Sequence, residues 1–161
     1  MPNTKPVGVA FSDPELTSGT TVSGAVIDNS TIGATTPSTV VGTTVYATTE
    51  IGYTAAAQGT VTQLTNKTTA VTLDKSAGRI TMNNASLATA TNATFVLNNS
   101  TISANDAVIL TISGGQATPG SYNVFANALS AGQVSITLRN ISGGSLSEAV
   151  VINFAIVHCA S

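Results

Sequence analysis

Apolar and polar residues alternate through much of the second part of the chain. Val134, Ile136 and Leu138 fall on one side of an extended segment, with Ser135, Thr137 and Arg139 on the other. Val108, Leu110 and Ile112 repeat the pattern against Ile109 and Thr111. A period of two is the signature of a strand, and it predicts strands at 60–65, 70–74, 79–82, 94–98, 107–112, 122–126, 134–139 and 150–157. Turn formers separate them: Lys75-Ser76-Ala77-Gly78, Asn98-Asn99-Ser100, Ser113-Gly114-Gly115, Pro119-Gly120, Ala131-Gly132 and Ser142-Gly143-Gly144. Gly114-Gly115 and Gly143-Gly144 read as hairpin turns, because neither opens a helix and neither is followed by the Lys-Ser/Thr pair of a phosphate loop. Residues 85–90 have room for one helical turn, opposed by Thr89, Thr91 and Asn92. The pattern predicts an all-β fold, an eight-stranded jelly-roll-like β-sandwich over residues 58–161. Greek-key sandwiches of about seven to nine strands read alike. Phe95, Leu110, Phe125, Leu138 and Phe154 are the residues expected between the sheets.

Residues 1–57 read differently. They carry Pro2, Pro6, Pro14 and Pro37, four of the five prolines, and their apolar residues are scattered among glycines. Only residues 20–28 and 39–46 alternate, in pieces too short to build a core within one chain. This predicts an extended N-terminal arm with short strands, serving trimerisation and attachment, whose apolar side chains are buried by a neighbour. The candidate interface residues are Val22, Val26, Ile27, Asn29, Ile32, Val40, Val45 and Tyr46. The other reading is that residues 20–50 add strands at the edge of the same sandwich.

Composition narrows the function. Hydrophobic residues make up 42% of the chain and mean hydropathy is +0.31, so there is apolar surface enough to fold. Charged residues make up only 7%, against about 25% in an average soluble domain. The polar residues are 27 Thr, 17 Ser and 13 Asn instead. Five Lys and Arg are too few for a phosphate-tracking surface, so no nucleic-acid partner is expected. A net charge of -2 gives little protection against association. No apolar run approaches the roughly 18 residues of a membrane span, so no membrane partner is expected. The start, Met1-Pro2-Asn3-Thr4-Lys5-Pro6, does not read as a secretory signal. Asn-x-Ser/Thr triplets at Asn29, Asn66, Asn84, Asn92, Asn98, Asn99 and Asn140 are accordingly not read as glycosylated.

The residues of reaction chemistry are few. His158 and Cys159 are adjacent, so in a strand they point to opposite faces and make a poor nucleophile–base pair. Asp74 and Asp106 could meet in space, but turn aspartates ordinarily cap backbone N–H groups. Cys159, the one cysteine, reads as a free thiol. With no Trp and seven aromatic residues, a sugar-stacking glycosidase cleft is poorly supplied. The expectation is a protein that is not an enzyme and has no metal and no cofactor.

Two stretches carry a resemblance. Ile27-Asp28-Asn29-Ser30-Thr31-Ile32-Gly33-Ala34-Thr35-Thr36-Pro37, followed by Val45-Tyr46-Ala47-Thr48-Thr49, resembles an element common in virion proteins of tailed bacteriophages. The later part, opening with Gly59-Thr60-Val61-Thr62-Gln63-Leu64-Thr65-Asn66-Lys67-Thr68-Thr69-Ala70-Val71-Thr72-Leu73 and closing with Asn140-Ile141-Ser142-Gly143-Gly144-Ser145-Leu146-Ser147-Glu148-Ala149-Val150-Val151-Ile152-Asn153-Phe154-Ala155, looks like a second phage-associated module. The resemblance spans roughly residues 20–157 and implies a structural, typically homotrimeric protein without catalytic residues. Only one unit of the first kind occurs, with no repeated shaft. That favours a homotrimeric capsid decoration (cement) protein bound to the major capsid protein, on the outer surface of the phage head, made in the host cytoplasm. The alternative is a head or tail fibre module that recognises a host surface receptor; a fibre-borne depolymerase is a distant third.

Overall fold

The computed structural model describes residues 41–159. The chain divides into two units, Met1–Tyr46 and Ala47–Ser161. The second unit is all-β: a short 3-10 turn, Ala55–Ala57, leads into eight strands. They are β1 (Gln58–Thr62), β2 (Val71–Thr72), β3 (Ala77–Thr81), β4 (Asn92–Asn98), β5 (Ala107–Gly114), β6 (Tyr122–Ser130), β7 (Gln133–Asn140) and β8 (Val151–Val157). Each expected strand is found, with shifted ends. β1 stops at Thr62 because Gln63 turns inward: its Nε2 donates to Thr69 O (2.8 Å) and its Oε1 accepts from Asn83 N (3.2 Å). β6 runs on to Ser130, beyond the expected 126. Among the described residues no helix is long and apolar enough to cross a membrane.

The strands form two four-stranded mixed sheets, ordered β1-β3-β8-β5 (sheet A) and β2-β4-β7-β6 (sheet B), in a sandwich-like arrangement. The chain changes sheet at almost every step. β1 and β3 therefore pair in parallel, with β2 of the other sheet as their crossover, and β2 and β4 do the same around β3. All other ladders are antiparallel. The two parallel ladders depart from an all-antiparallel jelly roll. The last two strands occupy the middle: β7 between β4 and β6, β8 between β3 and β5.

That position explains their burial. Val134, Ile136 and Leu138 of β7 and Ile152 and Ile156 of β8 are fully buried, and Phe154 nearly so. Phe95 and Leu97 of β4, Ile80 of β3, Met82 and Val150 complete the centre of one continuous cluster. Each such side chain contributes about 1.5–3 kcal/mol by leaving water. Phe95, Leu138 and Phe154 thus lie where expected. Leu110 packs against the cluster only from the edge strand β5 and stays half-buried.

Phe125 corrects the expectation: it is 42% exposed. Tyr122 and Val124 fix which side of β6 faces inward, so Phe125 faces out. A register shift between Ala126 and Ala128 then inserts one extra residue, and Leu129 turns back to the core.

The two Gly-Gly pairs are not hairpin turns. Gly114-Gly115 lies where the chain leaves sheet A for sheet B, and Gly143-Gly144 lies between β7 in sheet B and β8 in sheet A. Among the described residues the one hairpin joining adjacent strands is β6–β7, turned at Ala131-Gly132. Residues 85–90 do not make a helical turn either: Leu87 bridges Leu146, and Ala90 has a positive φ of 56°.

The loops are held by uncharged side chains. Asn99 is buried; its Oδ1 accepts from Thr101 N (3.0 Å) and Thr101 Oγ1 (2.7 Å), and its Nδ2 donates to Lys75 O (2.7 Å). Asn140 repeats the device, accepting from Ser142 N (2.9 Å) and Oγ (2.7 Å) and donating to Leu87 O and Gly144 O. Asn66 accepts from Thr68 N and Oγ1 in the same way. Three Asn-x-Ser/Thr triplets are thus turn-closing units, in which one amide oxygen satisfies an N–H and a hydroxyl two residues on.

Gly115 is the tightest point. Its φ is +78°, and a Cβ built there would meet Ala149 O at 2.0 Å. Gly143 has open space around it. Gly115→Ala is expected to cost about 2 kcal/mol or more and to lower Tm by roughly 8 °C or more. Gly143→Ala should leave Tm nearly unchanged. Thermal denaturation followed by circular dichroism tests both.

Candidate interaction surface

The outward residues of sheet A form rows set by the register. Gln58, Ala77, Ala155 and Ile109 make one row, and Thr60, Arg79, Asn153 and Thr111 the next. The first row is apolar apart from Gln58, with two alanines beside Ile109; the second is all hydrogen-bonding groups. Arg79 Nε donates to Asn153 Oδ1 (3.4 Å), and Ser113 Oγ donates to the same oxygen (2.9 Å). Over β1, β3 and β8 the face sinks into a shallow groove of about 470 Å³, lined by Gln58, Gly59, Thr60, Ala77, Gly78, Arg79, Asn153 and Phe154. The groove exists because little bulk stands there. Gly59 and Gly78 are register partners whose inward sides are filled by Leu73 and Phe154. Chemically this is a polar shelf with one guanidinium, able to hydrogen-bond an extended chain or a hydroxyl-rich ligand.

The chain approaches the sandwich along this face. Tyr53 hydroxyl donates to Ile156 O in β8, and Gln58 Nε2 donates to Tyr53 O (2.9 Å). Glu50, Gly52, Tyr53 and Thr54 enclose a second hollow of about 390 Å³. Ile51 is 84% exposed. In the first unit, residues 41–46 are exposed and form no regular element, with a bend at Thr43 and no strand partner among the described residues. Val45 and Tyr46 of the expected interface are therefore open to solvent. Val22, Val26, Ile27, Asn29, Ile32 and Val40 lie outside the described residues.

Two titratable clusters lie elsewhere in the sandwich. Asp106 is buried at the start of β5. Its carboxylate accepts from Ser103 N (2.8 Å), Ser103 Oγ (2.7 Å), Cys159 N (3.1 Å) and His158 Nδ1 (2.9 Å). These bonds, the Ser103 amide first, hold it well below the usual carboxylate range against the opposing effect of burial. Ala107 pairs with Val157, so the ladder itself brings Asp106 and His158 together beyond its end. The turn-capping role of Asp106 is legible in the sequence; its meeting with His158 depends on that register, which no local pattern displays. The Ser103 hydroxyl bonds the aspartate, not the histidine. Cys159 is exposed, its Sγ turned to Val157 O. Asp74 caps a different turn, accepting from Ser100 N (2.6 Å), which lowers its pKa.

The second cluster closes the opposite end of the β8 region. Lys67 is buried, and its Nζ donates to Asn83 O and Glu148 O, both at 2.5 Å. Burial lowers its pKa, and the Glu148 carboxylate partly offsets this. Glu148 Oε1 accepts from Ala117 N (2.7 Å). Its Oε2 and the Tyr122 hydroxyl are neighbours, both buried without an aligned partner. Burial first, and Glu148 second, push the Tyr122 phenol above its ordinary range. Sequence reading passed over Lys67, since an isolated lysine between Asn and Thr carries no signal of burial. Among the described residues no three of His, Cys, Asp or Glu come together as metal ligands.

Asp106 makes stability depend on pH. Its pKa is lower folded than unfolded, so at acid pH the unfolded chain binds more protons. Its contribution is full above the ordinary aspartate pKa of about 3.9 and is lost as pH falls from there toward the folded value. Tm is expected to drop between about pH 5 and about pH 2.5, and to drop less in Asp106→Asn, which removes this linkage. Equal slopes would show that the carboxylate is not held as described. No protein-family model matches the chain, and no curated protein and no solved structure matches it.

Proposed function

We propose that this chain is a non-enzymatic virion structural protein of a tailed bacteriophage, a homotrimer that decorates the outer surface of the head and bridges neighbouring major capsid subunits. The observation that carries the reading is apolar surface left open on chain outside any strand: Val41 is 92% exposed, Tyr46 90% and Ile51 84%. Such side chains call for a partner surface. The phage resemblance of residues 27–37 and 140–155 supports the major capsid protein as that partner. Under this reading the sandwich is a jelly-roll-like module in strand number and layering, with two ladders turned parallel.

The mechanism follows from valency. A trimer engages several capsid subunits at once, so individually weak contacts multiply. It binds the assembled lattice and not free subunits, and so stabilises the shell by mass action. A neutral surface of hydroxyls and amides suits this: in the second unit Lys67, Lys75, Arg79 and Arg139 balance Glu50, Asp74, Asp106 and Glu148. The polar shelf around Arg79 and Asn153 favours a second reading, a head or tail fibre module whose groove receives a host surface glycan.

Pelleting with undecorated heads tests the first reading. Full-length protein should co-sediment in many copies, spread over the head in electron micrographs. A Val45→Ser, Tyr46→Ser, Ile51→Ser variant should fold alike and bind at least tenfold more weakly, since a weakened contact is repeated in every chain. Failure of the full-length protein to bind heads overturns it. Binding to host cells that is lost in Arg79→Ala favours the fibre reading.

A further inference from the structure

The two lateral sides of the sandwich are unequal. On one side the edge strands are β1, of five residues, and β2, of two. On the other they are β5, of eight residues, and β6, of nine. Edge strands expose a row of unpaired main-chain groups, and proteins guard them with short length, charge, proline or bulges. β2 is guarded by its length. β6 is guarded by the bulge at Asn127. β5 has such a shift only at its far end, between Ile112 and Gly114, which leaves the stretch before it unguarded. It contains no charged residue and no proline, and its register with β8 is regular from Ala107 to Ile112.

The direction of its free groups can be worked out. Ile156 N donates to Ser76 O and Val150 O accepts from Met82 N, so the even-numbered residues of β8 bond toward β3. Its odd-numbered residues bond toward β5, and their partners are Ala107, Ile109 and Thr111. The N–H and C=O groups of Val108, Leu110 and Ile112 then point away from the sheet. They have no backbone partner among the described residues. Beside them on the outer face stand Ile109, 54% exposed, and Val157, 49% exposed.

Residues 41–46 have the complementary lack. They are uncharged and in no strand or helix, with a bend at Thr43, and they carry Val41, Val45 and Tyr46 in the open. Six residues of strand span about 20 Å, enough to run beside Val108, Leu110 and Ile112. We propose that residues 41–46 of one copy add as an outer strand to β5 of a neighbouring copy, extending its sheet A to five strands. The added strand satisfies the free groups of β5 and covers Ile109, and each copy both gives and receives a strand. A head-to-tail contact of this kind closes into a ring when its rotation allows. The inference rests on the homotrimer reading for the number of copies, and it places the contact in the sandwich.

Single-cysteine chains test it, all in a Cys159→Ser background. One chain carries Val45→Cys and a second, longer by a tag, carries Ile109→Cys; Val41→Cys and Thr43→Cys chains cover neighbouring registers. The chains are refolded together and oxidised. A mixed disulfide between the two chain lengths is expected for at least one register. In parallel, Ile109→Lys, a change on an exposed side chain, should keep the β-type circular dichroism and shift native mass spectra from trimer to monomer at micromolar concentration. If the full-length protein is a trimer, but no register crosslinks and Ile109→Lys stays trimeric, the β5 docking is overturned and the decoration reading stands. If a chain carrying both Val45→Cys and Ile109→Cys crosslinks only within itself, the strand belongs to its own sandwich and the proposal is overturned. A full-length protein that is monomeric at micromolar concentration overturns both.

Discussion

β7 and β8 project their apolar side chains into one core from opposite sheets, each as a central strand of its own sheet. Four of the six antiparallel and parallel ladders include one of these two strands. Remove them and β1–β3 and β2–β4 remain on one side, with β5 and β6 on the other and nothing between. The fully buried Val134, Ile136, Leu138, Ile152 and Ile156 are therefore the joint between two halves as well as the centre of the core. Their burial stabilises the fold, and their backbone bonds fix the register in which Asp106 meets His158 and Arg79 meets Asn153.

Around this centre the chain solves its polar problems almost without charge. Asn66, Asn99 and Asn140 close turns through a hydroxyl two residues on. Thr94 and Thr137, register partners on β4 and β7, share a hydrogen bond of 2.7 Å. Gln63 ties three backbone groups with one amide. The abundance of Thr, Ser and Asn, puzzling as composition, is in this sense structural: these side chains take the place of ion pairs, at a lower desolvation cost. Lys67 and Asp106 are the exceptions: the ammonium is held by two carbonyls, and the carboxylate by Ser103, His158 and Cys159.

The strands were legible because their period is local. Ser135, Thr137 and Arg139 opposite Val134, Ile136 and Leu138 need no knowledge of the neighbours. Phe125 departs from its expected place because the inward face of β6 is set by Tyr122 and Val124, and an inserted residue later in the strand reverses it. Gly114-Gly115 looked like a hairpin because sequence shows that the chain turns, not which sheet it turns into. The parallel ladders were hidden for the same reason: β1 and β3 are not consecutive. Of the candidate interface only Val45 and Tyr46 fall within the described residues, and both are exposed. The Asp106–His158 contact needed the β5–β8 register.

The central position of β7 and β8 also bears on how the chain is made. Synthesis delivers β1 to β6 before either strand that joins them. At about 5–20 residues per second, the nascent chain spends seconds with β3, β4, β5 and β6 each missing a neighbour. Such open edges invite pairing with other nascent chains on the same message, where copies are crowded together. The shortness of β2, the bulge of β6 and the density of hydroxyl and amide side chains then act during translation as well as after it. They keep the unfinished halves apart until the strand pair that belongs between them emerges.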